Sequence, residues 1–267
     1  MENLTTSPSR DRHVSNFIKD KSELDGAFVE DECPVCKRVR DVPATSARLQ
    51  RIDRGYYLTS PGAACSERCL TALMEKRGVP ERYSALSLSN FQAYNASLNQ
   101  KLDFVKQWLA GARKTGLLLT GRCGVGKTHL AVAAMRELVK AGADSGFVGA
   151  TTFAMKCQAA FSQDSSPAAI VSNSIHRYVV LDDIGVEKQT EFVRTCLFSL
   201  VDAIYTKNRT LIATSNLSLQ SLHENDPRMT SRLVELCDVL EFDGEDFRLR
   251  LAKGRRAALN KASSATQ

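Results

Sequence analysis

The sequence predicts an α/β fold, a parallel sheet of five strands between layers of helices, with a small cysteine-bearing module ahead of it. Three observations carry this. From residue 96 onwards, apolar runs of four or five residues alternate with longer stretches of helical period, the pattern of βαβ units in a parallel sheet. The glycine-rich run Gly121-Arg-Cys-Gly-Val-Gly126-Lys127-Thr128 directly follows one of these apolar runs. Four of the eight cysteines, at 33, 36, 65 and 69, lie apart from the alternating region.

The elements follow in order. Residues 1–31 are polar, with few large apolar groups and no period, which predicts a flexible tail. Residues 32–77 hold the cysteine cluster. Residues 78–112 read as a connector and a lead-in helix, in which Leu98, Leu102, Val105, Trp108 and Leu109 recur at helical spacing. The core over 113–244 has strands at 117–120, 146–150, 178–181, 211–214 and 239–242. Helices at 127–141, 151–161 and 191–207 and a loop at 162–167 lie between them. A short helix over 245–259 and a basic tail to residue 267 complete the pattern.

Bulk properties narrow the class. A chain of 267 residues accommodates one domain of about 150–200 residues plus a smaller module. No apolar run approaches the roughly 18 residues of a membrane helix, so no membrane partner is expected. The N-terminal stretch lacks the apolar core of a secretory signal, which predicts a cytoplasmic protein. In a reducing compartment disulfides do not form readily, so the clustered cysteines need another role. A net charge of +6 permits nucleic-acid binding without requiring it.

The glycine-rich run fits the phosphate-loop spacing GxxxxGK[ST], with a strand before it and a helix after it. Glycines let backbone N–H groups close around phosphate oxygens. The following helix aims its partly positive N-terminus at the same phosphates. Gly121, Cys123, Gly124, Val125, Gly126, Lys127, Thr128 and His129 are therefore the expected contacts for ATP. Lys127 supplies a cation near the β and γ phosphates, and the Thr128 hydroxyl is a magnesium (Mg2+) ligand. Cys123 reads as a small loop filler. A reactive thiol is the alternative, because a helix N-terminus lowers thiol pKa.

A phosphate loop needs an acidic partner for magnesium. The run Tyr178-Val-Val-Leu-Asp182-Asp183-Ile-Gly185 ends a buried strand in two carboxylates, at the sheet edge where open α/β folds bind ligands. Asp182 is expected to hold magnesium, and Asp183 to orient or deprotonate an attacking water. Glu is commoner than Asp at that second position, and the shorter side chain suits slow hydrolysis. Leu211-Ile-Ala-Thr-Ser-Asn216 is a further strand with a polar end. If it lies beside the Asp182 strand, Asn216 reaches the γ-phosphate or the water. Arg228 and Arg232 stand four apart on one helix face, and Arg248 lies in Glu-Asp-Phe-Arg248-Leu-Arg250.

The order GRCGVGKTHL, VVLDDIG, LIATSN, RMTSRL and EDFRLRL resembles the AAA+ ATPases of the bacterial helicase-loader group, DnaC and DnaI, and the related IstB transposition helpers, over about residues 86–256. VVLDDIG followed by LIATSNLSLQSL is the most specific part. The resemblance implies a P-loop AAA+ ATPase with a minimal lid. Lys127 and Thr128 then match the phosphate and magnesium residues, Asp182 and Asp183 the Walker B pair, and Asn216 sensor 1. Arg228 matches the arginine finger that acts on ATP in the next subunit. Arg248 matches the sensor 2 arginine, with Arg250 as the alternative. Residues 88–91 and the helix through Trp108 resemble the segment that precedes the core in these loaders. The implied function is ATP-dependent loading of a hexameric replicative DNA helicase onto single-stranded DNA at replication initiation, with self-association through the ATP site. The alternative is an IstB-like ATPase that binds DNA and assists a transposase.

The cysteines read as CxxC (Cys33, Cys36), 28 intervening residues, then CxxxC (Cys65, Cys69). Paired thiolates at such spacings suit tetrahedral zinc (Zn2+), which gives folding energy to a region without a large core. Four ligands leave no open position, so the expected zinc is structural. Arg38, Arg40, Arg48, Arg51 and Arg54 lie between the pairs, as contacts to nucleic acid or to an acidic partner surface, or as a solvated loop. From Arg248 onwards there are six basic residues and no acidic one. This tail binds DNA phosphates or is a soluble helix end.

Overall fold

In the computed structural model, the described residues are 17–18, 28–33, 35, 37, 39–43, 48–52, 55–59, 66–112, 115–163, 166–185 and 190–264. The chain divides into two units, Met1–Leu73 and Met74–Gln267.

The first unit holds five short strands: β1 (Phe17–Ile18), β2 (Phe28–Glu32), β3 (Val39–Pro43), β4 (Arg48–Ile52) and β5 (Gly55–Thr59). β4 and β5 form an antiparallel hairpin with Arg48 opposite Thr59, and β1 adds to the free edge of β5. β2 and β3 form a separate hairpin, Phe28 opposite Pro43 and Glu32 opposite Val39. β1 and most of β2 fall within residues 1–31, the stretch read as a mostly flexible tail, whose other residues lie outside the described ones. The apolar content of these two strands comes as isolated pairs, too short to register as a period. Helix α1 (Glu67–Lys76) follows, with Cys69 in its first turn.

The second unit starts within α1 and builds the parallel sheet. A single turn at Glu81–Tyr83 leads to α2 (Ala96–Gln107), capped by the Asn95 side chain, which accepts from Leu98 N–H at 2.7 Å. Leu98, Val105 and Trp108 are buried, as their spacing predicted. The regular helix stops short of residue 112 in a wider turn, Trp108–Ala112, where Gly111 takes φ +81. The core then runs β6 (Gly116–Gly121), α3 (Lys127–Lys140), β7 (Ser145–Gly149), α4 (Ala150–Ser162), α5 (Pro167–Asn173), β8 (Tyr178–Ile184), α6 (Glu191–Thr206), β9 (Thr210–Ser215), α7 (Leu219–Asn225), α8 (Pro227–Leu236), β10 (Cys237–Phe242) and α9 (Phe247–Ser264).

The sheet order is β10-β6-β9-β8-β7, and every pairing is parallel. Leu117, Leu118 and Leu119 of β6 are fully buried, as are Leu211, Ile212 and Ala213 beside them on β9. Strands covered on both faces carry such unbroken apolar runs. The core below β8 is closed by Phe153, Cys157, Leu197, Leu200 and Val201 of α4 and α6. The outer edge of β7 is not bare: Phe147 N–H donates to Arg77 O at 2.9 Å. α5, α7 and the full length of α9 were not predicted. α5 and α7 are seven residues each, below the length at which a period is readable. Among the described residues no helix is long and apolar enough to cross a membrane.

Candidate nucleotide site

The glycine spacing shapes the loop between β6 and α3. Gly121, Gly124 and Gly126 take φ of +127, +76 and +100, values that L-residues rarely adopt. Gly126 stands at the N-cap of α3, and a Cβ there would lie 2.7 Å from the Phe91 ring. Lys127, the first residue of α3, is only 5% exposed. Its ammonium donates to Gly121 O at 2.7 Å, Arg122 O at 2.6 Å and Asn216 Oδ1 at 2.8 Å. Burial lowers its pKa against the pull of nearby acidic groups, Asp183 and Asp182 among them.

β8 and β9 are neighbours, the condition under which Asn216 joins the site. Asn216 Nδ2 donates to Asp183 Oδ1 at 3.0 Å. One asparagine thus bridges the lysine of the loop and the carboxylate of β8. Alternation along a strand would send Asp182 and Asp183 to opposite faces. The register of β8 against β9 shifts between Leu181 and Ile184, and Asp183 takes φ +61. Asp is one of the few residues that tolerate this left-handed region. The break lets both carboxylates act on Lys127.

Asp182 is 6% exposed and accepts from Thr128 Oγ1 at 2.9 Å and Thr214 Oγ1 at 2.7 Å. Burial pushes its carboxyl pKa up, in opposition to those hydrogen bonds. Thr214 also accepts from Asp183 N–H at 2.9 Å, so one hydroxyl fixes both acidic residues. Thr214 was missed in the sequence. The available signal was a polar residue inside a fully buried strand, two positions before Asn216.

These groups open onto a cleft of about 390 Å³. One wall is Cys123 to His129 with Asp183 and Asn216; the other brings Tyr83, Phe91 and Tyr94 of the connector and Phe247 and Arg248 of α9. His129 packs edge-on to Phe91, with Nε2 3.0 Å from both Ser87 O and Asn90 Oδ1. Burial lowers the His129 pKa and favours the neutral ring. Arg248 lines the cleft, whereas Arg250 lies over the Tyr94 ring at 4.7 Å. Arg228 is not in the cleft. It is exposed on α8, over the Phe198 ring at 4.5 Å. The residues present fit a magnesium nucleotide: a glycine loop whose glycines leave no room for a side chain, a buried cation, and a hydroxyl and a carboxylate, both oxygen donors of the kind a hard cation takes, in contact.

The IstB-like ATP binding protein family matches residues 86–255. The chain belongs to this family. The chain is 30% identical over 171 residues to an insertion sequence ATP-binding protein of Sinorhizobium fredii (strain NBRC 101917 / NGR234), covering 60% of this chain and 56% of that protein. The matches cover between 56% and 62% of the curated relatives' lengths. The DnaC helicase loader has the same fold, with a TM-score of 0.54 at 23% identity, covering 61% of this chain and 100% of that one. DnaI also matches, with a TM-score of 0.54 at 23% identity over 62% of this chain and 95% of that one. The fold of the IstB-like domain is thus that of the AAA+ P-loop proteins.

Among the cysteines, Cys33 follows β2 and is buried, and Lys37 N–H donates to Cys33 O at 3.0 Å to close a turn. Cys69 lies in the first turn of α1, its N–H donating to Ser66 Oγ at 3.3 Å. Cys36 and Cys65 lie outside the described residues, and among the described residues no group of three metal-ligating side chains occurs.

Proposed function

We propose that this IstB-like protein hydrolyses ATP and acts as a switch that places a hexameric replicative helicase on single-stranded DNA. The hydrogen-bonded chain from Lys127 through Asn216 to Asp183 is the observation that carries hydrolysis, because it joins a phosphate ligand to a water-handling carboxylate. Backbone N–H groups of the loop and Lys127 bind the phosphates. Thr128 and Asp182 would hold a magnesium ion, which would offset negative charge on the phosphates. Asp183, aimed by Asn216, orients the attacking water and takes its proton. Arg248 faces the nucleotide from α9. Arg228 serves the ATP of a second copy, which its position outside its own cleft supports. The loader reading draws on the helicase-loader motif order and on an additional N-terminal unit available to dock a partner. Size-exclusion chromatography with the cognate hexameric helicase tests it: co-elution that responds to ATP is expected, and separate elution with and without ATP rejects it.

The 30% identity to an insertion sequence protein favours a second reading, an ATPase that binds DNA and assists a transposase. Capture of a transposase rather than a helicase, with ATP present, decides for it.

Cys33, Cys36, Cys65 and Cys69 are further proposed to bind one structural zinc. The turn at Cys33 and the helical start at Cys69 support this, since knuckle and helix-start cysteines are common zinc ligands. Metal analysis of chelator-free protein should give about one zinc per chain; none rejects the site.

A further inference from the structure

α9 differs from every other helix of the ATP-binding unit. Residues 248–253, 255 and 256 are all exposed, on every side of the helix. Leu249 and Leu251 are 63% and 49% exposed, and two residues apart they are separated by about 200° around the axis. They therefore form no apolar stripe for a protein groove or a bilayer surface. The cations Arg248, Arg250, Lys253, Arg255 and Arg256 are distributed around the helix, leaving no sector wider than about 140° free of charge. The stretch from Phe247 to Ser264 contains no acidic residue. A uniformly positive rod with no aromatic side chain beyond Phe247 suits a polyanion held by backbone charge rather than by base stacking.

The root of this helix is tied to the phosphate loop. Phe247 N–H donates to Gly124 O at 3.0 Å. The Asp246 carboxylate lies against Gly124, where a Cβ would collide with it, and caps α9 by accepting from Arg248 N–H at 2.8 Å. Tyr94 braces the same turn: its hydroxyl donates to Glu245 O at 2.8 Å, and its ring stacks on Phe247 with centroids 6.1 Å apart. A loop that moves to accept phosphates must carry or release the start of α9.

We infer that α9 is a nucleic-acid arm that grips the phosphate backbone without base specificity, and that Asp246 and Phe247 couple its grip to the nucleotide site. This deepens the DNA-handling function proposed above and rests on it. Fluorescence anisotropy with a labelled oligo-dT of single-stranded DNA tests the arm, comparing the full chain with a Lys253→Gln/Arg255→Gln/Arg256→Gln variant. The variant should bind at least tenfold more weakly at low salt. Its slope of log K against log salt should shrink by about 2, from three lost contacts at ~0.7 each. Unchanged binding of a fluorescent ATP analogue shows that the variant is folded. Equal affinity and slope in variant and wild type overturn the arm but leave DNA binding standing. No oligonucleotide binding by the wild type sinks both the arm and the single-stranded-DNA reading. Loss of binding to phosphatidylserine vesicles in the variant, with oligonucleotide binding retained, overturns the arm in favour of a membrane. For the coupling, an ATP analogue should change wild-type oligonucleotide affinity at least threefold and change that of Asp246→Ala less. A nucleotide effect of the same size in both proteins overturns the coupling.

Discussion

In the cleft, Lys127, Asp183 and Asn216 each bond to a group from another element of the same chain. On α8, Arg228 lies over Phe198, and no described carboxylate pairs with it. Its neighbour one turn on, Arg232, contacts Asp202 and Glu235 at 3.5 Å and lies over Tyr205. The cleft groups therefore pair with one another within one chain, while on the α8 face no described carboxylate pairs with Arg228. On the function proposed, binding is a property of one chain and turnover a property of two.

Lys127→Ala should have the largest effect. It removes the buried cation and leaves Asn216 Oδ1 without its donor. Calorimetric titration with an ATP analogue should show binding weakened at least 100-fold, with circular dichroism confirming the fold. Near-normal affinity would break the contrast at its root, since the cleft would not depend on its central charge.

Arg228→Ala should split the two properties. Binding stays within about twofold, because the residue touches nothing in its own cleft, while steady-state hydrolysis drops at least 100-fold, short of the roughly 1,000-fold or more that an arginine acting in trans can supply. Mixing the two single variants sharpens this. Lys127→Ala chains retain Arg228, and Arg228→Ala chains retain the cleft, so a mixture should recover part of the lost turnover. Two inactive variants that stay inactive together argue against a shared site.

How far the sequence reveals these two regions depends on range. Gly121–Thr128 and the polar ends of β8 and β9 are local patterns: glycines at fixed offsets, and carboxylates after apolar runs. They were legible, as was the parallel sheet that aligns them. The role of Thr214 was not, because its hydroxyl bridges Asp182 and the Asp183 N–H across a register shift that exists only once two strands pair. The far wall was equally hidden. Tyr94 and Phe247 meet across about 150 residues of chain, and neither belongs to a periodic run. β1, β2 and α5 escaped for a simpler reason, their brevity.

Thr214→Val tests the part of the cleft that was not legible. The replacement keeps the shape of the side chain and removes its hydroxyl, leaving the Asp183 N–H and one lone pair of Asp182 unserved. A buried unsatisfied group costs about 1–3 kcal/mol, so the urea midpoint should fall. Hydrolysis should drop roughly tenfold as the two carboxylates lose their alignment, with nucleotide affinity changing less. An unchanged turnover number would show that the cleft carboxylates are positioned by the backbone alone.

The smallest effect contrasts two carboxylates at opposite ends of the sheet. Asp182 is buried and its pKa is raised. Asp144, just before β7, is partly exposed and its pKa is lowered: partial burial opposes ionisation, but hydrogen bonds from His176 and Arg177 N–H and the charges of His176 and Arg77 outweigh it. A carboxylate with a depressed folded-state pKa contributes stability that is present above its unfolded value and is lost as pH falls through the folded one. Asp144→Asn should therefore lower the urea midpoint slightly at pH 7, by less than about 1 kcal/mol because the cluster is open to water. The gap from wild type should close below about pH 4, where the wild-type carboxyl takes up its proton. A gap that persists unchanged at pH 3 would mean that Asp144 holds the β7 and β8 ends by shape and hydrogen bonding rather than by charge. The outer end of the sheet would then follow the cleft in depending on fixed geometry.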